Sequence, residues 1–424
     1  MQTHYDVIVV GAGASGIPAA IGAARRGARV LLVEEDQQPG GACVDQYVAM
    51  INDTPHDRGG VFGQIISILS DQYDIGVTPV EAFWSQWFLP ADYLHVVQSL
   101  IRAEPTLDLA CGVRRCAPLV EDGAVAGIII RDPSGNETRI SADVVVDATG
   151  SAEMATLAGA ETMYGRESRD DFGEEIAPEE ADQKVQLCTW QYISQNLRPG
   201  NEFRMEGVGA RPLESGIGWL PEDDREGWER NAGLYLHWGC RVRCEDVRDP
   251  IAVGHAQSEA LEMMAEDHRI LRRNGYAVHL APKIGIRESR RLLGRHVITA
   301  DELVAGTRPD DTIFVTGRGM DIWTEGKASM SEYPPVQPYG IPYRALVPAE
   351  VEGLIVVGKA VSGTHLAMSA YRTQSIVAYV GEAGGVAAAL CAERDVAPAK
   401  LDPRDLIQCL RRPPHEIRIE MPET

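Results

Sequence analysis

Residues 7–20 read Val-Ile-Val-Val-Gly-Ala-Gly-Ala-Ser-Gly-Ile-Pro-Ala-Ala, and residues 28–34 read Ala-Arg-Val-Leu-Leu-Val-Glu. An apolar run that leads directly into three closely spaced glycines predicts a buried strand followed by a tight turn. A helix of small residues comes next, and a second apolar run follows it. The pattern indicates the strand–helix–strand unit of a parallel sheet.

The glycine pattern is Gly11-x-Gly13-x-x-Gly16, at the start of a predicted helix near 15–26. In such a unit the first glycine permits the tight turn, the second lets a pyrophosphate approach the backbone, and the third lets helix and strand pack closely. The pyrophosphate then meets the free N–H groups at the helix N-terminus. Glu34 ends the second strand, where a carboxylate can accept both ribose hydroxyls of an adenosine. The unit therefore predicts a dinucleotide site.

The composition is that of a globular chain with a strongly acidic charge balance. A chain of 424 residues can bury a large core and form two lobes. Hydrophobic residues make up 44% and charged residues 24%, which is ordinary for a soluble protein. The net charge of −22 argues against nucleic acid and anionic membrane surfaces as partners.

Targeting and metal-binding signals are not expected in this chain. We find no apolar run that approaches the roughly 20 residues needed to span a bilayer. The first strand begins within a few residues of Met1, which leaves no room for a signal peptide. The eight cysteines form neither a Cys-x-x-Cys pair nor a zinc-like spacing. We expect a cytoplasmic protein without a metal site. The sequence leaves open whether the chain forms a homo-oligomer.

The rest of the chain follows the pattern of an α/β protein. Residues 91–104 place their apolar side chains on one helical face, and short strands separated by turns predict a β-meander after them. Buried strands are predicted over 143–148 and 353–358, and a long helix rich in Ala and Gly over 367–391.

The segment from about 160 to 335 differs because it is rich in charge, Trp and Gly and has no second glycine fingerprint. Its predicted elements are strands over 185–194, 232–238, 277–281 and 312–316 and a helix over 254–274. A terminal helix is predicted over 401–411, with Asp402 as its N-cap and Pro403 at its first position.

Six segments spread over most of the chain carry a resemblance to a known family. They are Gly11–Gly16 with Glu34, Gly40-Gly41, Val144–Gly150, Ile284–Gly294, Asp310–Ile313, and Ile341–Pro348 continued through Val357–His365 to Tyr371-Arg372. In order and spacing they resemble the FAD-dependent oxidoreductases of the glutathione-reductase-like superfamily, and more narrowly the bacterial FAD-dependent oxidoreductase family.

The strand pattern and the change in composition predict an α/β fold in which a Rossmann-like domain, with a central parallel sheet and a β-meander, holds an inserted α+β substrate domain, and the resemblance implies that the Rossmann-like domain binds FAD. The FAD-binding domain is expected over 1–159 and 335–400, the inserted domain over 160–334, and a C-terminal helix and tail over 401–424. The helix after residue 366 is implied to point its N-terminus at the flavin pyrimidine ring, where a reduced flavin is anionic.

The expected FAD contacts combine the glycine unit with residues that the resemblance adds. They are Gly11, Gly13, Ala14, Ser15, Gly16, Glu34, Glu35, Gly41, Ala42, Cys43, Val113, Ala148, Thr149, Gly150, Gly358, Lys359 and Thr373. Lys359 stands where many relatives in the wider superfamily have Asp and the narrower family usually has Arg, so it fits as a milder variant of the latter.

Cys43 follows Gly40-Gly41-Ala42, which is similar to the Gly-Gly-x-Cys start of the disulfide reductases. Their partner cysteine would fall at Val48, which excludes a dithiol mechanism for this pair. Cys43 is then either a redox thiol or flavin attachment point, or a small buried hydrophobic residue, and the second interpretation is favoured.

Two residues near the flavin end are the predicted catalytic groups. His365 lies in a Gly-Thr-His turn that we expect to face the flavin, and it is either an acid–base residue or a hydrogen-bonding partner of the flavin or a carbonyl. Arg372, predicted to lie inside the following helix, is expected to bind a substrate carboxylate or to stabilise the reduced flavin.

Predicted substrate residues are Arg287, Arg290 and Tyr343. Arg287 and Arg290 flank Glu288, and the run either recognises an anion or forms an interdomain salt-bridge network, which is the favoured interpretation. Tyr343 is grouped with His237, Trp190, Trp238 and Trp323, which either form an aromatic substrate wall or belong to the core.

The sequence predicts an FAD enzyme that oxidises or reduces a small organic molecule by hydride transfer to or from the flavin. The electron partner is oxygen, a quinone, another redox protein or transiently bound NAD(P)H, since no dedicated second dinucleotide unit is visible. The alternatives are an FAD-dependent monooxygenase, a redox-neutral flavoenzyme, and a flavin-binding subunit of a larger complex.

Overall fold

The computed structural model describes residues 2–52, 58–73, 77–80, 83–132, 134–198, 234–324 and 333–421. Its strands are β1 (His4–Val10), β2 (Val30–Val33), β3 (Met50–Asn52), β4 (Val77–Val80), β5 (Phe83–Trp87), β6 (Leu107–Ala110), β7 (Cys116–Glu121), β8 (Ala124–Arg131), β9 (Glu137–Asp147), β10 (Thr162–Met163), β11 (Cys188–Thr189), β12 (Tyr192–Asn196), β13 (Leu234–His237), β14 (Arg241–Val242), β15 (Tyr276–Leu280), β16 (Arg291–Leu292), β17 (Thr312–Thr316), β18 (Tyr339–Pro342) and β19 (Leu354–Val356). Its helices are α1 (Gly16–Arg25), α2 (Ala42–Asp45), α3 (Gly60–Tyr73), α4 (Pro90–Ala103), α5 (Glu153–Leu157), α6 (Arg169–Phe172), α7 (Pro250–Arg273), α8 (Ala300–Ala305), α9 (His365–Tyr371), α10 (Gln374–Arg394) and α11 (Pro403–Leu410).

The central sheet has the strand order β6-β2-β1-β9-β8-β7, and β19 also pairs with β9. The pairs among β6, β2, β1, β9 and β19 are parallel, while β7, β8 and β9 form an antiparallel meander. Strands β2 and β19 are buried along their whole length, as expected of a parallel sheet covered on both faces. The predicted α/β class, with its Rossmann-like sheet and meander, is confirmed.

Helix α10 packs against the sheet and against α1 through its small residues. A Cβ added to Gly385 would lie 1.9 Å from the Ala19 carbonyl oxygen, so the two backbones approach too closely for any side chain there. By length and composition α10 could cross a membrane, which corrects the expectation that no apolar run is long enough. In this structure 94% of the most apolar 18-residue stretch of α10 is buried, as in a core helix.

The long helix predicted over 367–391 is two helices, α9 and α10. Thr364 caps α9, because its hydroxyl accepts a hydrogen bond from the Ala367 N–H at 3.2 Å. Thr373 then adopts an extended backbone, with φ −71° and ψ 151°, and becomes the residue from which α10 starts. Arg372 therefore lies at the C-terminus of α9 and not inside a continuous helix.

The middle of the chain contributes a hydrophobic cluster of its own. Helix α7 packs with the small sheets β13-β12-β15 and β11-β14 around Cys188, Tyr192 and Met264. Its N-cap Asp249 accepts a hydrogen bond from the Ile251 N–H at 2.9 Å, so the helix begins four residues before the predicted 254. Apolar side chains over 298–322 join the main core instead. The predicted domain boundaries stay a prediction.

The C-terminal segment packs into the core. Asp402 caps α11 as predicted, with its side chain accepting from the Arg404 N–H at 3.0 Å. After the helix, His415 Nδ1 lies 2.8 Å from Oε1 of Glu382, a carboxylate fully buried in α10. The Arg58 guanidinium donates to the Ile419 carbonyl oxygen at 2.6 Å. The tail is irregular, as predicted, but it is held by buried polar contacts.

Candidate functional site

A cavity of about 970 Å³ runs across the carboxyl ends of β1, β2, β9 and β19 to the middle region of the chain. This edge of a parallel sheet is where doubly wound folds bind ligands. The predicted site residues that line it are Gly11, Gly13, Ala14, Ser15, Glu34, Glu35, Gly41, Ala42, Val113, Ala148, Thr149, Gly150, Arg287, Gly358, Lys359, Arg372 and Thr373. The cavity thus collects residues from both ends of the chain.

The glycines at one end form a cradle that a side chain would fill. A Cβ on Gly16 would lie 1.7 Å from the Gly11 carbonyl oxygen, so Gly16 packs directly against the backbone of the turn. Gly16 does not line the cavity. A Cβ on Gly13 would meet only the Gly41 Cα, at 3.9 Å, so this backbone faces open space. The cradle at the N-terminus of α1 fits the pyrophosphate of FAD.

Glu34 is a buried carboxylate held by two backbone N–H groups. Its Oε2 accepts from Ala12 at 2.6 Å and its Oε1 from Asp36 at 3.0 Å. Burial raises the pKa of Glu34, and these hydrogen bonds oppose the rise. Each carboxylate oxygen keeps a further lone pair that the ribose hydroxyls of an adenosine could use, and that contact stays a prediction.

Asp147, which the sequence analysis did not single out, orders the turn after β9. Its carboxylate is fully buried and accepts from the Thr149 N–H at 3.0 Å, the Thr149 hydroxyl at 2.6 Å and the Ala155 N–H at 3.0 Å. Burial raises the pKa of Asp147. The result is a fixed turn that carries Thr149 and Gly150 into the cavity wall.

The opposite end of the cavity carries four cationic side chains, which we call the cation cluster: Arg287, Arg318, Lys359 and Arg372. Asp321 also lines this end, and its carboxylate lies 3.3 Å from Arg372 and 3.7 Å from Arg318. Lys359 Nζ donates to the Ile286 carbonyl oxygen at 2.5 Å.

Burial and mutual repulsion act on the cation cluster in the same direction. Burial lowers the pKa of Lys359 to about 8, and the charge of Arg372 adds to the effect. Burial likewise lowers the pKa of Arg287 to about 9, again with a contribution from Arg372. These positive charges are therefore held at a cost, in a cavity wall that favours negative charge.

Two tryptophans of the predicted aromatic wall line this end, Trp238 and Trp323. The Arg241 guanidinium lies 3.5 Å from the centre of the Trp323 ring, which fixes the indole plane. Tyr343, predicted as a substrate residue, is buried elsewhere and donates to the Pro398 carbonyl oxygen at 2.9 Å.

His237 and Trp190, the other members of the predicted wall, also lie off the cavity lining. The His237 ring stacks on Tyr192, with ring centres 4.3 Å apart. Trp190 Nε1 donates to the Ala281 carbonyl oxygen at 2.8 Å. Both belong to the packing of the middle region.

His365 does not face the cavity, contrary to expectation. It is buried at the start of α9, and its ring Nδ1 lies 2.9 Å from Glu288 Oε1. The backbone N–H of His365 donates to Glu167 Oε2 at 2.8 Å. Fully buried Arg291 forms ion pairs with both of these carboxylates. His365 therefore belongs to a buried hydrogen-bonded network with Glu288, Glu167 and Arg291.

The sequence offered two interpretations of residues 287–290, anion recognition and a salt-bridge network, and the structure separates the residues that suit each. Arg287 lines the cavity, while Glu288 points to the buried network, whose guanidinium comes from Arg291 and not from the predicted arginines. Arg290 lies off the cavity lining. A charge network that joins distant segments is therefore present, but the sequence analysis assigned it to the wrong arginine.

Cys43 is buried behind the cradle and does not line the cavity. Burial raises the pKa of its thiol to about 12. A thiol with so little thiolate character is a poor nucleophile. This placement favours the interpretation of Cys43 as a small buried hydrophobic residue.

Acidic side chains cluster beside Glu34. The carboxylates of Glu34, Glu35 and Asp36 lie within 4.8 Å of one another, a spacing that could hold a cation. The Lys283 ammonium already contacts Asp36 at 2.5 Å and Glu35 at 3.5 Å. His4, Asp6 and Asp143 form a second such group among the described residues, away from the cavity lining.

Arg318, Asp321 and Lys283 are cavity residues that the sequence analysis missed. The first two follow strand β17 in the run Gly-Arg-Gly-Met-Asp-Ile-Trp over 317–323. A glycine-rich loop directly after a strand is a signal for a ligand-facing turn, but it has no motif of its own. Lys283 has no local signal, since its partners lie about 250 positions earlier in the chain.

The fold and the two-ended cavity define a dinucleotide-binding protein of the flavoprotein type. Residues 6–410 match the model of the family described as FAD dependent oxidoreductase. The chain therefore belongs to the FAD-dependent oxidoreductase family, and its cofactor is FAD. No curated protein matches the sequence.

Among solved structures, the chain is similar to a geranylgeranyl bacteriochlorophyll reductase-like protein from Thermoplasma acidophilum, with 12% identity, a TM-score of 0.43 and coverage of 96% of this chain and 83% of that one. It is also similar to a myxobacterial chondrochloren halogenase, described as an FAD-dependent halogenase variant, with 13% identity, a TM-score of 0.42 and coverage of 96% and 78%. A p-nitrophenol 4-monooxygenase from Pseudomonas putida gives 12% identity, a TM-score of 0.41 and coverage of 93% and 79%.

Proposed function

We propose that the protein transfers a hydride between a small organic molecule and its FAD, in the manner of a dehydrogenase or oxidase. The observation that carries this proposal is the continuity of the cavity. Its glycine cradle and Glu34 suit the adenosine and pyrophosphate of the cofactor, and the same space extends to the cation cluster and two tryptophans. That second end has the charged and aromatic groups that a substrate site requires.

FAD supplies the acceptor or donor of the two electrons, and the protein supplies orientation and the proton path. Oxidation of an alcohol or amine carbon sends a hydride to the cofactor and releases a proton from the oxygen or nitrogen. Lys359 lines the cavity, and its lowered pKa of about 8 gives it a neutral amine form that can take that proton, so we expect the reaction to speed up as the pH rises towards 8. We assign the proton to Lys359 because His365 lies off the cavity lining.

The proposal leaves the electron partner as oxygen, a quinone, a redox protein or transiently bound NAD(P)H. Its small-molecule substrate enters at the end of the cavity that bears the cation cluster. Nucleic acid and membranes have no part in the proposed reaction, and we place the protein in the cytoplasm.

Anaerobic mixing of the FAD-loaded protein with alcohols, amines and hydroxy acids tests the proposal through the loss of flavin absorbance at roughly 450 nm. We expect Lys359→Met to slow bleaching by about 10²–10⁴-fold and His365→Asn to slow it by less than about tenfold. A flavin that dithionite reduces but no organic donor does would contradict the dehydrogenase reaction and favour a redox-neutral role.

A further inference from the structure

The cation cluster holds more positive than negative charge within the described part of the chain. Asp321 is the carboxylate that pairs with Arg318 and Arg372. Arg287 instead donates to two neutral acceptors, the Leu187 carbonyl oxygen at 2.6 Å and the Thr189 hydroxyl at 2.5 Å. These bonds orient the guanidinium without neutralising it.

Arg372 has a guanidinium N–H donor for which the described residues offer no acceptor. Arg372 donates through Nη2 to the Asp321 carbonyl oxygen at 2.9 Å, while its buried Nε has no partner among the described residues. An unpaired donor on a buried charge is costly unless a ligand satisfies it. The two arginines are close enough for Arg372 to disfavour the charged form of Arg287.

The wall beside these arginines carries the Trp323 indole, one face of which is covered by the Arg241 guanidinium 3.5 Å from the ring centre. The Trp323 ring has the Arg287 guanidinium 5.7 Å from its centre. Its loop is tied to the segment that orients Arg287, because the Leu187 N–H donates to the Trp323 carbonyl oxygen at 2.9 Å. Trp238 also lines this end. An anion that reached Arg287 and Arg372 would therefore have an indole surface next to it.

We propose that the substrate is an organic carboxylate whose charged group binds to Arg287 and Arg372, with its apolar part against Trp323. The proposal rests on the proposed function and specifies the class of substrate for the same site. A guanidinium presents parallel N–H donors that match the two oxygens of a carboxylate. A bound carboxylate supplies the negative charge that the cluster lacks and occupies the free Nε.

Binding of phenylacetate and of its uncharged analogue phenylacetamide to the FAD-loaded protein tests the proposal. The readout is a saturable change in the visible flavin spectrum. We expect phenylacetate to bind at least about tenfold more tightly than the amide, a difference of about 1.4 kcal/mol. Arg287→Gln is expected to abolish the difference, Arg287→Lys to restore part of it, and Arg290→Gln, the matched control, to preserve it.

Equal binding of the two probes, or binding of neither, would overturn the proposal. Loss of FAD from Arg287→Gln would overturn it too, because the guanidinium would then be a cofactor ligand. The test needs no turnover, so it separates this inference from the proposed function. A protein that binds phenylacetate through Arg287 but whose flavin no donor bleaches keeps the anion site and loses the hydride-transfer reaction.

Discussion

The two ends of the cavity are built in contrasting ways. The adenosine end is local, since the glycine cradle, the helix N-terminus and Glu34 all fall within residues 11–34. The rest of the cavity wall includes residues 285–287, 318, 321, 323, 358–359 and 372–374, which are far apart in the chain. The part of the cofactor anchor within 11–34 is therefore encoded by one supersecondary unit, while the other cofactor contacts and the substrate contacts depend on the whole tertiary structure.

The two ends also differ in how their buried charged groups find hydrogen-bond partners. At the adenosine end the polar groups are satisfied by nearby backbone, as when Ala12 donates to Glu34 at 2.6 Å. At the other end charged groups of one sign are gathered against their mutual repulsion. Burial and the neighbouring carboxylates raise the pKa of Glu34, so its charge also opposes folding at neutral pH, and both ends hold charges where function sets the residue choice.

The largest expected effect is at the local end. Gly16→Val would place a Cβ 1.7 Å from the Gly11 carbonyl oxygen and 3.0 Å from the Ala148 Cβ, so the cradle has to open. We expect complete loss of FAD, measured as flavin absorbance of the purified protein. Gly254→Ala is the control, because Gly254 lies in α7 without a positive φ and has nothing within 4 Å of an added Cβ. A Gly16→Val protein that kept its flavin absorbance would show that FAD binding does not depend on the local glycine cradle.

A large effect on folding is expected where distant segments meet. Arg291→Met leaves Glu167 and Glu288 buried without their cation, and we expect a loss of about 3–5 kcal/mol in the free energy of unfolding. Denaturant titration measures it. Arg290→Met, the control one position away, is expected to stay within about 0.5 kcal/mol of the parent. Equal values for the two variants would show that the network does not hold the segments together.

The cation cluster itself is expected to oppose folding. The pKa of Lys359 falls from its ordinary 10.5 to about 8 in the folded protein. Between these pH values the unfolded chain binds more protons, so the stability of the flavin-free protein rises with pH in that window. Below pH 8 Lys359 is charged in both states and the full cost of burying the charge is present.

Lys359→Met removes that cost. We expect the flavin-free variant to be more stable at pH 7 by about 1–3 kcal/mol and to lose most of the rise between pH 8 and 10.5. Unfolding titrations at pH 7 and 9.5 measure both effects. Lys400→Met, in the turn before α11, serves as a surface control. A variant less stable than the parent at pH 7 would contradict the view that this end consumes stability.

The smallest effect is expected at Glu34. Glu34→Gln keeps an oxygen for the Ala12 N–H but removes the charge that strengthens hydrogen bonds from ribose hydroxyls. We expect FAD affinity to fall by about tenfold, or about 1–2 kcal/mol, without loss of the fold. Fluorescence titration of the flavin-free protein with FAD measures it. An unchanged affinity would mean that Glu34 only orders the turn.

Sequence reasoning was reliable where structure is local. It placed β1, α1 and β2 within a few residues and identified the cap at Asp402, because strand periodicity, glycine spacing and capping chemistry act over short distances. It missed the break at Arg372–Thr373, since the residues on both sides favour a helix. The turn at His365 faces the Glu288 network for a reason no local pattern contains, namely where Arg291 lies in the folded chain.

One consequence concerns how the chain can be shortened. The family match ends at residue 410, and a designer of truncated proteins would be tempted to stop there. Such a cut would remove His415 and leave the buried Glu382 carboxylate with the Val61 N–H as its hydrogen-bond donor, and it would take away the Ile419 carbonyl oxygen that accepts from the Arg58 guanidinium. The tail after α11 therefore holds α10 and the segment around Arg58 together through buried polar contacts.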